Sequence, residues 1–596
     1  MWKKEALIKY LKKFIAGIMS SMVAALFCIN MSKEIAISQS LNGNSVALVA
    51  VFIIIYWMLK KIGENKNKRL KIFTFVLSLV LAILEVIGKS IDLYGDLSGI
   101  INSWSTVLKS VVIFIGYLTI FFSVLANVFL KFDEVKIKNK VYKFFICNKK
   151  SFFLIWGLIF IAWLPYFLNY FPGKLTADSM GQVYQSLFKI QLTNHHPVLH
   201  TLIIAIPMNI GSLLKNNNIG VAIYSVLQML ALSATFSWAI YYMAKKNVSL
   251  KVRIVAFIFY AFYPVHGMYS ITMWKDIPFA ISMTIFITIL AELTINQDEF
   301  FKNKKKTVLL VISMILTMLL RNNGLYVVVL TIPIMFIVAK KYYKPLFIVS
   351  IIVLASYAIW KGPVFSILDI KEGSAREALS IPLQQFARIS KYKNDKLSQE
   401  EKDMIYKYLP VENLGEKYNS HVSDPVKDNF DNKAFEEDKI DLVKLYIKLA
   451  IEFPRDTIES FLCGSYGYWY PEAKHWVVSR GNARETEELD IRENPIVNIE
   501  LLEKFDSIID EREIPIISMI FSVGFTFWVA LIMLVYELYK KRYKYFLLYM
   551  PLIILWLTTI ASPVFCEYRY VYSLFTTLPV LIGLTFREEE IDGCVE

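Results

Sequence analysis

The chain of 596 residues contains few charged residues, few cysteines and little proline or glycine. Charged residues make up only 19% of it, whereas soluble domains carry about 25%, so a single soluble globular enzyme is excluded. Its five cysteines are too few to hold a fold of this size together by disulfide bonds. With 19 prolines and 23 glycines, the composition also excludes a disordered chain.

Hydrophobic residues, by contrast, make up 56% of the chain, and the mean hydropathy is +0.46. Apolar runs of about 17–25 residues can cross a bilayer as helices, and inside lipid a helix satisfies its own backbone hydrogen bonds. We therefore predict an all-α polytopic membrane protein with one extracytoplasmic soluble insert. The fourteen predicted spans are 14–30, 45–59, 72–88, 111–130, 152–171, 219–243, 254–270, 277–295, 307–320, 323–339, 345–360, 514–536, 545–561 and 570–586.

Lysine and arginine are distributed unevenly over the loops between these runs. The loops on the same side as the N-terminus hold 34 of them, and the short loops on the other side hold 9. Because cytoplasmic loops are enriched in these residues, we predict that both termini are cytoplasmic. The apolar run at 198–214 would reverse this pattern if it spanned the membrane, so we predict an interfacial or re-entrant helix on the outer side.

The spans and loops divide the chain into four regions. Residues 1–150 form an N-terminal four-helix membrane region, and 151–360 a membrane core with an outer loop at 172–218. Residues 361–513 form an acidic extracytoplasmic domain with 22 basic and 31 acidic residues. Residues 514–596 form a C-terminal three-helix region with a short cytoplasmic tail. The net charge of +14 therefore reflects basic cytoplasmic loops, and nucleic acid is not an expected partner.

All six histidines lie in stretches that this topology places on the outer side. The cytoplasmic loops are short and contain no histidine, which leaves no room there for a site that binds a soluble nucleotide donor. We therefore expect any active site on the outer face, with an energy-rich donor that is itself in the membrane.

The outer loop at 172–218 contains the first candidate residues. Asp178 directly follows a predicted span, and a carboxylate at this depth is costly without a task, so we predict that it is a general base. Gln182 on the short helix that follows, and His195 and His196 further on, are expected to support it. A divalent metal, if one binds, has Asp178 and His196 as candidate ligands; the sequence names no other cofactor. The alternative is that Asp178 caps a helix and that the histidines are interfacial polar residues.

Basic residues at the outer ends of later spans are candidates for binding a lipid phosphate. Arg321 and Asn322 lie between two short apolar runs, 307–320 and 323–339. An arginine at such a break faces a cavity more often than lipid. Its planar guanidinium can contact a phosphate through two hydrogen bonds. Lys275 and Asp276 begin another span, where Asp276 would orient Lys275; alternatively, the two simply pair with each other.

The last outer loop contains Glu567, Tyr568 and Arg569. Arg569 is a third candidate for the lipid phosphate, supported by its two neighbours, with an interfacial Glu567–Arg569 ion pair as the alternative. Farther back, in the 361–513 domain, Tyr468, Trp469 and Trp476 are candidates for stacking on an acceptor sugar, although such aromatic residues also pack in cores. Cys463 and Cys566 are both predicted outside, and whether they pair is left open.

Several of these segments resemble the GT-C superfamily of integral-membrane glycosyltransferases, which includes protein O-mannosyltransferases and aminoarabinose transferases. The likeness rests on Asp178 just after a span, on the His196-Pro197 helix start, on Asp276 and Pro278 at the start of a span, and on Tyr568-Arg569-Tyr570. The chain departs from the family where Ser179 replaces a second carboxylate and Val198 a second proline. An uncharacterised bacterial multi-pass family with His-His-Pro, Trp-Lys-Asp and Arg-Asn-Asn-Gly segments is also similar.

The resemblance implies an inverting glycosyltransferase. Its donor would be a polyprenyl-phosphate sugar, and its acceptor a cell-envelope glycan, lipid or protein on the extracytoplasmic side, with membrane lipids around it. Two functions from other classes stay open: a flippase or exporter of lipid-linked glycans, and a non-catalytic envelope assembly protein.

Overall fold

A computed structural model describes residue 17 and residues 45–135, 148–477, 489–500, 502, 504 and 517–587. Within these ranges the chain is helical, and β-structure is limited to isolated bridges such as the one between Lys174 and Thr272. The first expected span, 14–30, lies outside the described residues except for Gly17, as do the first residues of the 514–536 run and the predicted tail from residue 588 onward.

Twenty helices of seven or more residues form the described part of the fold. They are α1 (Ser45–Glu64), α2 (Lys68–Tyr94), α3 (Trp104–Glu134), α4 (Lys149–Asn169), α5 (Ala177–Ser186), α6 (Val198–Leu213), α7 (Asn217–Lys245), α8 (Leu250–Phe262), α9 (Pro264–Ser270), α10 (Asp276–Ile295), α11 (Lys304–Leu320), α12 (Asn322–Val338), α13 (Tyr343–Ile359), α14 (Ser380–Tyr392), α15 (Gln399–Tyr408), α16 (Lys439–Glu452), α17 (Pro454–Ser465), α18 (Val523–Tyr539), α19 (Phe546–Ala561) and α20 (Tyr572–Thr585). Shorter helices are Ser98–Ile101, Gln297–Lys302, Phe365–Ile367, Leu414–Lys417, Asp424–Lys427 and Asn432–Glu437.

Seven helical stretches of the described chain are long and apolar enough to cross a membrane. An eighth results if α8 and α9, which are bent by 51° at Pro264, count as one span. A proline is favoured at the first position of a helix because its missing N–H needs no partner there. The seven stretches are Lys68–Tyr94, Trp104–Glu134, Lys149–Asn169, Asn217–Lys245, Asp276–Ile295, Lys340–Ile367 and Tyr543–Ala561.

Apart from 14–30, of which only Gly17 is described, the predicted runs are occupied mainly by helix in their described residues. Some of these helices are short: α11 and α12 have 17 residues each, and α20 has 14. The 198–214 run is the 16-residue helix α6. It packs closely on α7: the two backbones approach so near at Gly211 that a Cβ there would lie 2.7 Å from the backbone nitrogen of Gly220.

Helix α10 lies at the centre of the bundle and is buried along nearly its whole length. It packs against α7, α11, α19 and α20, which explains why its sequence is apolar on every side. At the other end of this bundle from Asp276, Glu292 of α10 contacts both Lys246 (2.7 Å) and Lys306 (2.5 Å). The basic residues directly after α7 and in the first turn of α11 therefore meet at that end.

The polar region after α13 contains a smaller core of its own. Leu383, Phe386, Leu442, Leu445 and Leu449 belong to it, and they come from α14 and α16. These side chains form a hydrophobic cluster distinct from that of the main bundle.

The aromatic segment 466–471 leaves this polar region and enters the main core. Trp528 and Trp556 donate their indole N–H groups to the carbonyls of Trp469 (2.8 Å) and Tyr468 (2.9 Å). On the other side, the ring of Tyr470 lies against Gly88 of α2. The segment therefore joins the N-terminal helices to the C-terminal ones.

Candidate active site

Asp178 is held in place by contacts between two loops. Lys174 pairs with the backbone of Ile271 and Met273, which places the start of α5 beside the start of α10. The hydroxyl of Ser179 donates to the carbonyl of Met273 (2.7 Å), and the indole of Trp274 donates to the hydroxyl of Thr176 (2.8 Å). Thr176 occupies the N-cap position of α5, so Asp178 is not the capping residue and its carboxylate is available for other contacts.

The carboxylate of Asp178 lies between two cations from distant parts of the chain. Arg569 donates from Nη1 to Oδ2 (2.8 Å), and Nζ of Lys275 lies 3.5 Å from the same oxygen. Burial favours the neutral acid, but the two cations outweigh it and hold the pKa of Asp178 well below its usual value. Asp178 therefore stays ionised, and with a side chain 33% exposed it is also the most open member of the group.

His196 accepts a hydrogen bond from the same lysine. Nζ of Lys275 lies 2.8 Å from Nδ1 of His196. Burial, with the ammonium of Lys275 beside it, lowers the pKa of His196 to about 2, so the imidazole is neutral. The ring of His195 packs against His196 with centroids 4.5 Å apart. Burial also lowers the pKa of Lys275.

A second ion pair lies next to this group. Nη1 of Arg321 is 2.8 Å from Oδ1 of Asp276 and donates to the carbonyl of Tyr570 (2.8 Å). Asp276 has no exposed side-chain surface, and its Oδ2 has no hydrogen-bond partner among the described residues. The alternative Lys275–Asp276 pair is thus replaced by a pair between Asp276 and Arg321.

The ring of Tyr570 lies between the two arginines. It is 4.3 Å from the guanidinium of Arg321 and 5.3 Å from that of Arg569. Trp274 covers Arg569 from a further side, at 4.9 Å. Cations on aromatic faces are stabilised without using their N–H donors. Tyr570 and Trp274 were not among the predicted site residues; their places beside Arg569 and Lys275 in the sequence are the signal that could have suggested them.

Glu567 holds the other edge of Arg569. Nε of Arg569 donates to Oε1 of Glu567 (2.9 Å), and Nε2 of His475 lies 3.9 Å from Oε2. Burial raises the pKa of Glu567 to about 7 against the opposing effect of Arg569. The sequence-based alternative of a Glu567–Arg569 pair is therefore present, but Arg569 makes it together with its contact to Asp178. Neighbouring Tyr568 is buried and shares a hydrogen bond with the hydroxyl of Tyr263 (2.7 Å).

Gln182 and Asn322 are not brought into the charged cluster. The side chain of Gln182 bonds to Thr201 (2.9 Å) and to Nδ1 of His200 (2.9 Å), so it joins α5 to α6. Nε2 of His200 bonds to Tyr224 (2.7 Å), which leaves neither nitrogen of His200 available to a metal. Asn322 is exposed at the start of α12.

The predicted aromatic acceptor surface is wrong for two of its three residues. Tyr468 and Trp469 are 0% and 5% exposed, because the segment packs between the first and last groups of helices. Trp476 is partly exposed and lies near Trp274, with centroids 6.3 Å apart. It is the only one of the three predicted residues with ring surface available near the cluster.

Two further expectations concern metal binding and cysteine pairing. Within the described ranges, no group of three His, Cys, Asp or Glu side chains is arranged for a metal. Nζ of Lys275 lies between Asp178 and His196, at the position that a metal bound by both residues would occupy. Cys463 and Cys566 are free thiols. Each donates to a backbone carbonyl, at Gly95 (3.2 Å) and Gly467 (3.3 Å) respectively.

The cluster joins five segments: the start of α5, the loop before α6, the start of α10, the break between α11 and α12, and the loop before α20. It contains three basic side chains, Lys275, Arg321 and Arg569, and three carboxyl groups, Asp178, Asp276 and Glu567. Arg321 and Arg569 each have donors left over after the contacts described, and such donors bind phosphate oxygens in pairs. The cluster can therefore bind an anionic group if that group replaces one of the carboxylates as the partner of a cation.

Comparison with known proteins adds a family but no function. Residues 189–593 match the family described as "Family of unknown function (DUF6020)". No curated protein matches the chain, and no solved structure matches it. The matched residues include Lys275, Arg321 and Arg569, and Asp178 precedes them. Since the match extends over more than half of the chain, this protein belongs to the DUF6020 family.

Proposed function

We propose that this protein is a membrane glycosyltransferase that moves a sugar from a polyprenyl-phosphate donor to an extracytoplasmic acceptor in the cell envelope. The observation that carries the proposal is the contact of Asp178 with Arg569 and Lys275, beside Arg321. A carboxylate that can take a proton thus lies next to cations that can hold a phosphate.

The proposal includes the finer topology derived from the sequence: fourteen spans, both termini in the cytoplasm, and the cluster on the outer side. It is supported by the position of every cluster residue at the same end of the bundle. Asp178, Lys275, Arg321 and Arg569 follow or precede the helix ends that the lysine and arginine bias assigns to the outside. The basic residues Lys246, directly after α7, and Lys306, in the first turn of α11, meet at the opposite end.

In the proposed reaction, an acceptor hydroxyl attacks the anomeric carbon of the sugar. The new bond forms between the acceptor oxygen and that carbon, the bond from the carbon to the phosphate oxygen breaks, and Asp178 takes the hydroxyl proton. The polyprenyl phosphate leaves with the electron pair, and Arg569, Arg321 and Lys275 stabilise the charge that develops on it. Attack from the face opposite the phosphate inverts the anomeric carbon.

Substrate binding would also make Asp178 a better base. In the free protein its proton affinity is lowered by Lys275 and Arg569. A phosphate that takes over the donors of these residues partly neutralises them, and the pKa of Asp178 then rises toward its usual value. The base is thus weak until the donor is in place, which protects the site from unproductive proton uptake.

The experiment combines a substitution with analysis of the lipid-linked pool. Asp178→Asn keeps the shape of the side chain but removes the proton acceptor, so we expect transfer to fall by at least about a hundredfold. Polyprenyl-phosphate sugar should accumulate in these cells, as measured by mass spectrometry. Asp395→Asn, at an exposed carboxylate of the polar region, is the matched control and should behave as wild type.

Normal glycans and a normal lipid-linked pool in the Asp178→Asn strain would refute the proposed role. Accumulation of a complete lipid-linked glycan instead of a single lipid-linked sugar would favour an exporter over a transferase.

A further inference from the structure

Helix α16 of the polar region exposes a line of large apolar side chains. Ile440, Val443, Ile447 and Ile451 are 68%, 53%, 51% and 76% exposed. Their spacing of three, four and four residues puts them on one side of the helix. A surface helix ordinarily turns charged and polar residues toward water, so this line, here called the isoleucine ridge, is unusual.

The opposite side of α16 is the one that holds the domain together. Leu442, Leu445 and Leu449 are buried in the smaller core. The isoleucine ridge therefore points directly away from that core, and no described part of the chain covers it. Contiguous exposed apolar surface of this kind marks a site of contact with lipid or with another protein.

Lysines flank the isoleucine ridge. At 100° per residue, Lys444 and Lys448 fall on one side of it and Lys439 on the other. Each pairs with a carboxylate of the same region, Asp441, Glu401 and Glu436 respectively, yet all three are more than half exposed, where such pairs are weak. A basic border around this ridge is notable in a segment whose net charge is negative.

The position of α16 in the chain brings it close to the membrane surface. Helix α17 follows it directly, and α17 contacts the loop between the spans α2 and α3: Glu459 accepts from the N–H of Leu97 (3.4 Å) and Cys463 donates to Gly95. Ile458 beside this contact is 54% exposed. On the loop side, Tyr94, Ile101 and Trp104 are exposed as well, as is usual for residues at a lipid headgroup boundary.

We propose that α16 lies on the outer leaflet of the membrane, with the isoleucine ridge in the boundary between headgroups and acyl chains and the flanking lysines on anionic lipid phosphates. A second copy of the chain fits less well, because symmetric pairing of two such ridges would bring the lysine borders of both copies together. The proposal does not depend on the proposed enzymatic function. It gives the polar region a second attachment to the membrane, in addition to its covalent ends.

The test is photo-crosslinking of the full chain in phospholipid vesicles. Ile447 is replaced by p-benzoylphenylalanine, and the protein is reconstituted in equal parts of phosphatidylglycerol and phosphatidylethanolamine. We expect the intact chain to gain the mass of one phospholipid on irradiation. The matched control places the same residue at Tyr406, which is 52% exposed on α15 of the same region and should give little lipid adduct.

A crosslink between two chains at position 447, or equal lipid labelling at positions 447 and 406, would overturn the proposal. Position 451, which is even more exposed, repeats the test should the first variant fold poorly.

The lysines supply an independent readout. Lys444→Gln with Lys448→Gln should reduce lipid labelling at position 447 by up to about fivefold for each lysine in the vesicles with phosphatidylglycerol. In vesicles of phosphatidylcholine alone the double substitution should change nothing. An equal effect in both kinds of vesicle would show that the lysines act within the protein and not on anionic lipid.

Discussion

Each charge in the cluster has an opposite charge beside it. Arg569 lies between Asp178 and Glu567, and Arg321 contacts Asp276. Such pairing is necessary, because an isolated buried charge costs several kcal/mol. It also means that an anionic substrate binds by exchange, taking donors from carboxylates that already hold them, and Asp178 is the carboxylate most open to being displaced.

The raised pKa of Glu567 predicts a pH dependence. Above pH of about 7, ionised Glu567 holds Nε of Arg569 by a charge-assisted bond; below it, protonation weakens that hold. We therefore expect transfer activity to rise with pH through about 7. Glu567→Gln should remove this rise, measured as kcat/KM across the pH range, while Glu412→Gln, at an exposed carboxylate, should keep it.

The same group predicts the opposite trend in stability. Folding raises the pKa of Glu567 from its usual value of 4.5 to about 7. The protonated group therefore contributes its full stabilisation at pH values below 4.5, and this contribution is lost as the pH rises through about 7. The change is at most about 3 kcal/mol. Thermal unfolding in detergent should show Tm falling over this range in the wild type more than in Glu567→Gln. Parallel trends in activity and Tm would contradict the assignment.

At the scale of helices, the sequence predicted where helices lie along the chain better than it predicted which residues pack between them. Apolar runs identify helices because a helix in lipid needs no outside partner for its backbone. Tyr468 and Trp469 show the limit: a cluster of aromatic residues in a polar segment has the same composition whether it faces a sugar or fills a gap between helices. Only the closeness of Gly88, Trp528 and Trp556 decides between the two, and no local pattern encodes it.

Gly88 offers a test of this packing. A Cβ at position 88 would lie 2.3 Å from the ring of Tyr470, so Gly88→Ala should force α2 away from the aromatic segment at a cost of about 1–3 kcal/mol. Differential scanning fluorimetry in detergent should show a lower Tm. Gly157→Ala is the matched control, since it lies in the span α4 and has nothing within 4 Å. Equal Tm values for the two variants would argue against the contact.

At the scale of the whole molecule, the site could be predicted in part. Arg569 and Asp178 were both candidates on their own, from charge beside an apolar run, yet 391 positions separate them and no pattern in the sequence links them. Tyr570, which separates the two arginines, and the pairing of Arg321 with Asp276 depend on the same long-range packing. A sequence shows which residues are costly to bury; their partners follow from the fold.

Topology is the remaining property of the whole molecule that can be tested directly. The bias of lysine and arginine predicts that an insertion at Asn303, between α10 and α11, faces the cytoplasm and that one at Asp395 faces outside. Green fluorescent protein that is exported in an unfolded state does not fluoresce, so its fluorescence marks the cytoplasmic side. Alkaline phosphatase, in contrast, is active only outside the cytoplasm. We expect fluorescence at 303 and phosphatase activity at 395, each without the other signal. The reverse pattern would place Asp178, Lys275 and Arg569 on the cytoplasmic side, where a soluble donor could reach them, and the proposed use of a membrane-borne donor would then lose its basis.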